Sequence, residues 1–352
     1  MSNEQIEPNS ISIETEFRIN IPNVNGNEAE AFNQNISAFF PPIITTANSF
    51  IPFNKNSVET IVVADEDKLG EAIFEVQDRH EIERGYTGQR EGHYVTGAKT
   101  ISYLSDEGDV KTSIVILSSF IYAIIGSIAQ DIPFEEWNVD ARFCFYTFVH
   151  ELGHGYDNLL RKDVNKEKIN LEDLEKESDC EVLGKYYSSI LISEFLASYY
   201  AGRSVNPELQ NQMIETWCGD SNVLIDDLLD RKNSYHPTAA KAASHSLWVI
   251  LTQYAKLVGH KIANEELPVP NSYYNWESEI DEIFVSVEEI LQTDFAPINS
   301  PLKNEAHISQ NPTFDLESFT FEKFYPVWEK LANENGFFFN DEDNLEDEGS
   351  DS

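Results

Sequence analysis

The feature that most constrains this chain is an uninterrupted helical pattern beginning near residue 138. Either Asn138 or Asp140 can cap the N-terminus of a helix there. From Phe143 onward, apolar and aromatic side chains recur at intervals of three and four residues, and no proline interrupts them. The pattern predicts a helix from about Val139 to Leu160.

Two histidines stand one turn apart on this predicted helix. Because positions i and i+4 share a helix face, the imidazoles of His150 and His154 can reach one zinc ion at roughly 2.0 to 2.1 Å. Glu151 projects from an adjoining part of that face, where a carboxylate can accept a proton from a zinc-bound water. The spacing therefore predicts one zinc ion (Zn2+) per chain, with Glu151 as the catalytic base. A chance match of two hydrogen-bonded histidines is the alternative.

A catalytic zinc ion takes three protein ligands and leaves one position open. The metzincin pattern is excluded, because Asp157 and Leu160 occupy the places of its glycine and third histidine. A carboxylate on a second helix remains, and Glu194 is the strongest candidate. Asp179 and Glu181 are the alternatives, although an acidic solvated turn explains them equally well.

The two motifs together carry a family resemblance. The run His-Glu-Leu-Gly-His at residues 150–154 and the run Glu-Phe-Leu-Ala at residues 194–197 resemble the gluzincin metallopeptidases, whose third ligand is the glutamate of a Glu-x-x-Ala segment. Ala197 matches that alanine. Both motifs are also similar to the small cytosolic bacterial and phage metallopeptidases of the ImmA/IrrE-like group, which usually have a shorter gap. The resemblance covers about residues 143–201.

This resemblance implies an α+β fold with a zincin-like metallopeptidase core, a small mixed sheet, an active-site helix and a mainly helical C-terminal part. It implies hydrolysis of peptide bonds in a protein or peptide substrate. In such folds the strand before the motif helix commonly lies at the sheet edge and pairs with an extended peptide. By resemblance, Val110–Leu117 is that strand.

Other polar side chains are candidates for supporting roles. Asp157, one turn after His154, could orient that imidazole, or it could be an acid that faces solvent. A donor that stabilises the developing oxyanion is also expected. His236 is favoured because it precedes a proline in a predicted loop. The residues considered for this role are Tyr199, Tyr200, His236 and His245.

The remaining pattern places strands before the motif and helices after it. Residues 11–21 alternate as a half-buried strand, and residues 61–63 form a strand followed by a helix from Glu66 to about His80, capped by Asp65. Residues 93–104 and 110–117 read as a hairpin whose turn contains Gly108. Later helices are predicted at about Cys180–Ala201 and Ala239–Val258.

These elements predict three regions. Residues 1–135 form a mainly β part, residues 136–339 form a helical metal-binding part, and residues 340–352 form a disordered tail. The tail has seven acids in thirteen positions and no aromatic residue, a composition that cannot bury enough surface to become ordered. The aromatic run at residues 337–339 is predicted to anchor the end of the last helical region before the tail.

Composition narrows the partners and the compartment. With 62 acidic and 24 basic side chains, the formal net charge of -38 repels nucleic acid. Three widely spaced cysteines give no disulfide framework and favour a cytoplasmic location. Residues 112–130 carry no charge, but their serines and β-branched start indicate a buried strand more than a membrane span.

Two rival functions remain open at this level. The first is a non-proteolytic protein that keeps the metal as a structural or sensing element and binds another protein. It has no need of Glu151 beside the first ligand. The second is a membrane-inserted metalloprotease built around residues 112–130. The sequence does not indicate the oligomeric state.

Overall fold

The fold was described from a computed structural model of the chain. The described residues are 14–18, 33–51, 57–82, 89–90, 93–94, 97–161, 180–213, 215–216, 237–264, 285–295 and 316–334. The chain divides into two compact units, residues 1–171 and residues 172–352. The first contains the described strands and the helix with the two histidines, and the described residues of the second are mainly helical.

A four-stranded mixed sheet forms the centre of the first unit. The described strands are β1 Glu14–Arg18, β2 Val58–Ala64, β3 Gln89–Arg90, β4 His93–Tyr94, β5 Ala98–Leu104 and β6 Val110–Leu117. The strand order of the sheet is β1-β2-β6-β5, with β2 parallel to both β1 and β6, and with β5 antiparallel to β6. Two short strands, β3 and β4, form a separate antiparallel ribbon.

The predicted α+β class with a small mixed sheet is confirmed. The first-unit helices are α1 Phe40–Ala47, α2 Leu69–Arg79, α3 Ser118–Ala129 and α4 Val139–Arg161. Helix α2 buries its apolar face against strands β2, β5 and β6. The core cluster formed there consists of Val62, Ala64, Leu69, Ala72, Ile73, Val76, Ile101 and Val115.

The expectation that Val110–Leu117 is the sheet edge is wrong. This strand, β6, lies inside the sheet between β2 and β5, and its Ile114, Val115 and Ile116 are fully buried. A continuous apolar run is typical of a strand covered on both faces, and here it also marks the interior position. Among the described residues, β5 pairs only with β6 and β1 only with β2, so Ala98–Leu104 is one of the two edge strands.

The strand boundaries also differ from the predicted ones. The predicted strand at residues 93–104 is divided, because His93–Tyr94 belongs to the separate ribbon and only Ala98–Leu104 joins the main sheet. The hairpin between β5 and β6 is confirmed, and Gly108 in its turn has a φ of 81°. A positive φ is a conformation that glycine adopts without steric cost.

The predicted helix after β2 starts differently. A short 3-10 turn at Glu66–Lys68 precedes α2, and the side chain of Asp65 makes no capping hydrogen bond. The Asp65 carboxylate instead accepts a hydrogen bond of 2.6 Å from the hydroxyl of Ser118. Asp65 therefore ties the end of β2 to the start of α3.

The uncharged stretch at residues 112–130 consists of two elements. Its first part is the buried strand β6 and its second part is α3. Among the described residues, no helix is long and apolar enough to cross a bilayer. The stretch is therefore accounted for by a strand and a helix of the first unit.

Helix α4 approaches the sheet closely at one glycine. A Cβ atom added to Gly155 would lie 3.1 Å from Cγ2 and 3.2 Å from Oγ1 of Thr112, on strand β6. These distances are tighter than ordinary side-chain contacts. The absence of a side chain at Gly155 therefore lets the turn after His154 sit against the sheet.

The longest helices described in the second unit are α5 Cys180–Gly202, α6 Pro237–Ala263 and α7 Leu316–Glu334. The two helices predicted at about Cys180–Ala201 and Ala239–Val258 are confirmed. Helix α6 contributes Trp248, which stacks on Trp328 of α7 with ring centroids 5.8 Å apart. Residues 337–339 and 340–352, predicted as an anchor and a disordered tail, lie outside the described residues.

Replacing Gly155 with alanine should destabilise the first unit, and Gly126 provides the matched control. Both glycines lie in helices, but no atom of the structure's described part lies within 4 Å of a Cβ at Gly126. Gly126→Ala should raise the free energy of unfolding by roughly 0.5 to 1 kcal/mol through helix propensity. Gly155→Ala should leave the free energy of unfolding unchanged or lower it, because the added Cβ would crowd Thr112. Urea unfolding of both variants measures this, and equal stabilisation would contradict the close approach.

Candidate metal site

The start of α4 is set by a side-chain cap. The backbone N–H of Ala141 donates to Oδ1 of Asn138 at 2.8 Å, so Asn138, and not Asp140, caps the helix. The guanidinium of Arg142 donates to the backbone carbonyl of Phe134 at 2.8 Å. These two hydrogen bonds fix the N-terminus of the helix that carries the histidines.

The apolar side of α4 is fully packed. Phe145, Phe148, Val149 and Leu152 are each at most 1% exposed, whereas Phe143 is 39% exposed. Because the helix buries this side, its rotation about its own axis is determined. The half-buried histidines consequently share the remaining side.

His150 and His154 are neighbours on that side, as the spacing predicts. Their ring centroids are 4.8 Å apart and the rings are nearly perpendicular, at 87°. The hydroxyl of Tyr146, one turn earlier, lies 3.5 Å from Nδ1 of His150. A partner at Nδ1 selects the tautomer of an imidazole and directs Nε2 outward.

Glu151 is buried, at 7% exposed, and its turn of helix is tied to the sheet. Its backbone carbonyl accepts a hydrogen bond of 2.6 Å from the hydroxyl of Thr100, on the edge strand β5. The turn bearing the predicted base therefore lies directly beside the sheet edge.

Asp157 is 2% exposed, so its alternative description as a solvent-facing acid is wrong. Gly155 brings this part of α4 close to Thr112 on β6. Burial of a carboxylate is costly unless it has partners. The predicted role of Asp157 in orienting His154 stays a prediction.

The ligand atoms of His150, His154 and Glu194 all lie within 4.8 Å of one another. Donors of a tetrahedral zinc site at roughly 2.0 to 2.1 Å stand about 3.3 Å apart. Two imidazoles and one carboxylate form a donor set that zinc accepts, and their separation is compatible with closing around one ion. The residues therefore fit a zinc ion in number and in kind.

A lysine that the sequence analysis missed contacts the candidate third ligand. Nζ of Lys256, on α6, lies 3.1 Å from Oε2 of Glu194. The pairing joins two helices separated by a long connection, so spacing along the chain gives no sign of it.

The contact between Tyr146 and His150 was also missed, but the sequence carries a signal for it. Tyr146 lies four residues before His150, on the same face of the helix.

The structure gives little information on the candidate oxyanion donors and the alternative third ligands. His236 and Asp179 lie outside the described residues, and so do the side chains of His245 and Glu181. Tyr199 and Tyr200 are buried, and burial raises the pKa of the Tyr199 phenol.

Cys144 lies on α4, six residues before His150, and is buried. Desolvation raises the pKa of its thiol to about 12.

Comparisons with known proteins found no relative of this chain. No protein-family model matches the chain, and no curated protein or solved structure is detectably similar to it. The indications of function in this chain are therefore the histidine motif and the geometry around it.

Gly259 should be intolerant of a side chain, because it lies where α6 approaches the helix of Glu194. A Cβ added there would lie 2.7 Å from the backbone oxygen of Phe195 and 2.9 Å from the backbone nitrogen of Tyr199. Gly259→Ala should therefore lower the free energy of unfolding by about 1 to 3 kcal/mol.

Gly202→Ala, in helix α5, is the control for this prediction. Its Cβ would meet its nearest neighbours at 3.2 and 3.3 Å, which smaller shifts can relieve. Chemical denaturation should show a larger loss for Gly259→Ala than for Gly202→Ala. A smaller loss at Gly259 would contradict the close packing of α5 and α6.

Proposed function

We propose that this chain is a zinc-dependent peptidase that hydrolyses peptide bonds with a metal-activated water. The observation that carries the proposal is the convergence of His150, His154 and Glu194, with Glu151 next to the first histidine. A purely structural zinc site has four protein ligands and no need of an adjacent acid. Three donors with a neighbouring carboxylate are typical of a catalytic site.

His150, His154 and Glu194 would hold the ion in this proposal. When bound, zinc supplies a water of lowered pKa and polarises a carbonyl oxygen. The hydroxyl oxygen of Tyr146 would accept a hydrogen bond from Nδ1–H of His150, which leaves Nε2 available as the ligand atom.

Glu151 would act as general base and then as proton donor. Its carboxylate takes the proton of the attacking water and later passes it to the leaving amine. The hydrogen bond from Thr100 to the Glu151 carbonyl supports this role, because it holds the turn in register with β5. A base must lie within hydrogen-bond reach of the proton it transfers, so the position of this turn matters.

The substrate would be an extended polypeptide bound along β5. Among the described strands, β5 has a neighbour on one side only, and a sheet edge offers backbone donors and acceptors to another strand. Backbone pairing suits a peptide of varied sequence, since side chains contribute little to it. This assignment replaces β6 as the predicted substrate strand.

We also propose a cytoplasmic location, on the ground of the cysteines. Cys144, Cys180 and Cys218 are odd in number and widely spaced, a pattern that fits a reducing compartment. The net charge of -38 argues against nucleic acid as a partner.

Elemental analysis and peptide digestion together test the proposed function. The full chain and Glu151→Gln should each retain about one zinc after passage through a metal-free column, since Glu151 is not a ligand. Only the parent chain should cleave an unbiased peptide library, with a loss of at least a hundredfold in Glu151→Gln. His154→Ala should lose both zinc and cleavage.

An acidic chain can also bind zinc at its surface, so a carboxylate control is needed. Glu71, on α2, has a side chain that is 65% exposed, and Glu71→Gln should keep both the zinc and the activity. Zinc that persists in His154→Ala would contradict the site. Zinc in the parent chain without cleavage of any library would instead favour the non-proteolytic, metal-holding protein.

A further inference from the structure

An ion pair engages the proposed third ligand from within its own unit. Nζ of Lys256 lies 3.1 Å from Oε2 of Glu194, and the two side chains are 20% and 21% exposed. An ion pair with this much cover is screened less by water and salt than a surface pair. It can therefore restrict the carboxylate more than an exposed lysine would.

The backbone packing of α5 and α6 fixes where these two side chains start. Gly259, three residues after Lys256, faces the backbone of Phe195, the residue after Glu194. A Cβ at Gly259 would lie only 2.7 Å from the Phe195 oxygen, which leaves no space for a side chain between the helices. Lys256 and Glu194 are consequently held opposite each other beside this close approach of the two helices.

We propose that Lys256 is a positioning residue that holds the Glu194 carboxylate ready for the metal. This inference rests on the proposed function, because it takes Glu194 to be a zinc ligand. A carboxylate has two oxygens, so an ammonium can hold one oxygen while the other ligates the metal. Partners that orient ligating carboxylates typically contribute about 10- to 100-fold to metal affinity or activity.

Charge repulsion alone would give Lys256 the opposite effect on zinc affinity. A lysine ammonium near a dication repels it, so removal of Lys256 would strengthen zinc binding if repulsion were its main effect. Positioning predicts that the same removal weakens binding, and only when Glu194 is present to be positioned. The sign of the change and its dependence on Glu194 therefore separate the two effects.

A double-mutant cycle on the full chain measures this dependence. Zinc dissociation constants would be obtained by competition with a chromophoric chelator for the parent, Lys256→Met, Glu194→Gln and the double variant. We expect Lys256→Met to weaken zinc binding about 10-fold or more when Glu194 is intact. In the Glu194→Gln background the same change should leave binding unchanged or slightly stronger.

Two further variants control for folding and for loss of charge. Lys261 lies on the same helix and pairs with Glu288, so Lys261→Met removes a comparable ion pair and should not change zinc affinity. Lys256→Arg keeps a charged donor and should retain more zinc affinity than Lys256→Met. If Lys256→Met fails to fold, Lys256→Gln takes its place in the cycle.

Lys256 has no positioning role if Glu194→Gln weakens zinc binding but Lys256→Met does not, or if Lys256→Met weakens binding equally in both backgrounds. In either case the proposed ligand set stands. If Glu194→Gln leaves zinc affinity unchanged, Glu194 is not a ligand, and both the ligand set and the role of Lys256 are overturned.

Discussion

The rotation of α4 about its axis is the constraint on which the proposed site depends. Two imidazoles one turn apart can share an ion only if the helix presents them toward it. The buried aromatic side of α4 sets that rotation, and the hydrogen bond from Thr100 to the Glu151 carbonyl sets the helix against β5. Gly155, which has no side chain, lets the turn after His154 lie close to the sheet. The placement of the histidines thus follows from packing on the other side of the helix.

The second unit restricts the position of the Glu194 carboxylate. A glutamate side chain has several torsions and loses considerable rotamer freedom when it is ordered. The close approach at Gly259 and the ion pair with Lys256 restrict Glu194 from two directions, through the backbone and through its charged end. A ligand that is ordered before the metal arrives loses less entropy on binding. In the proposed site, the same contacts would connect the stability of α5 and α6 with metal affinity.

The sequence predicted the parts of this arrangement that depend on short-range periodicity. The α4 helix, its histidine spacing, the β5–β6 hairpin and the two later helices all follow from local patterns. The interior place of β6 was missed because it depends on pairing with β2, which is distant in sequence. Local spacing does not show whether Asp157 is buried, because its burial depends on how α4 packs, and it gives no sign of Lys256, because α5 and α6 meet only in the folded chain.

The coordination of the bound metal is the most direct test of the central claim that two imidazoles and one carboxylate hold zinc. X-ray absorption at the zinc edge, on the chain loaded with one equivalent, should show nitrogen and oxygen scatterers at roughly 2.0 to 2.2 Å. The spectrum should include the outer-shell signal of two imidazoles, and the carboxylate contribution should change in Glu194→Gln. A sulfur scatterer at roughly 2.3 Å, or an all-oxygen shell without imidazole, would contradict the account.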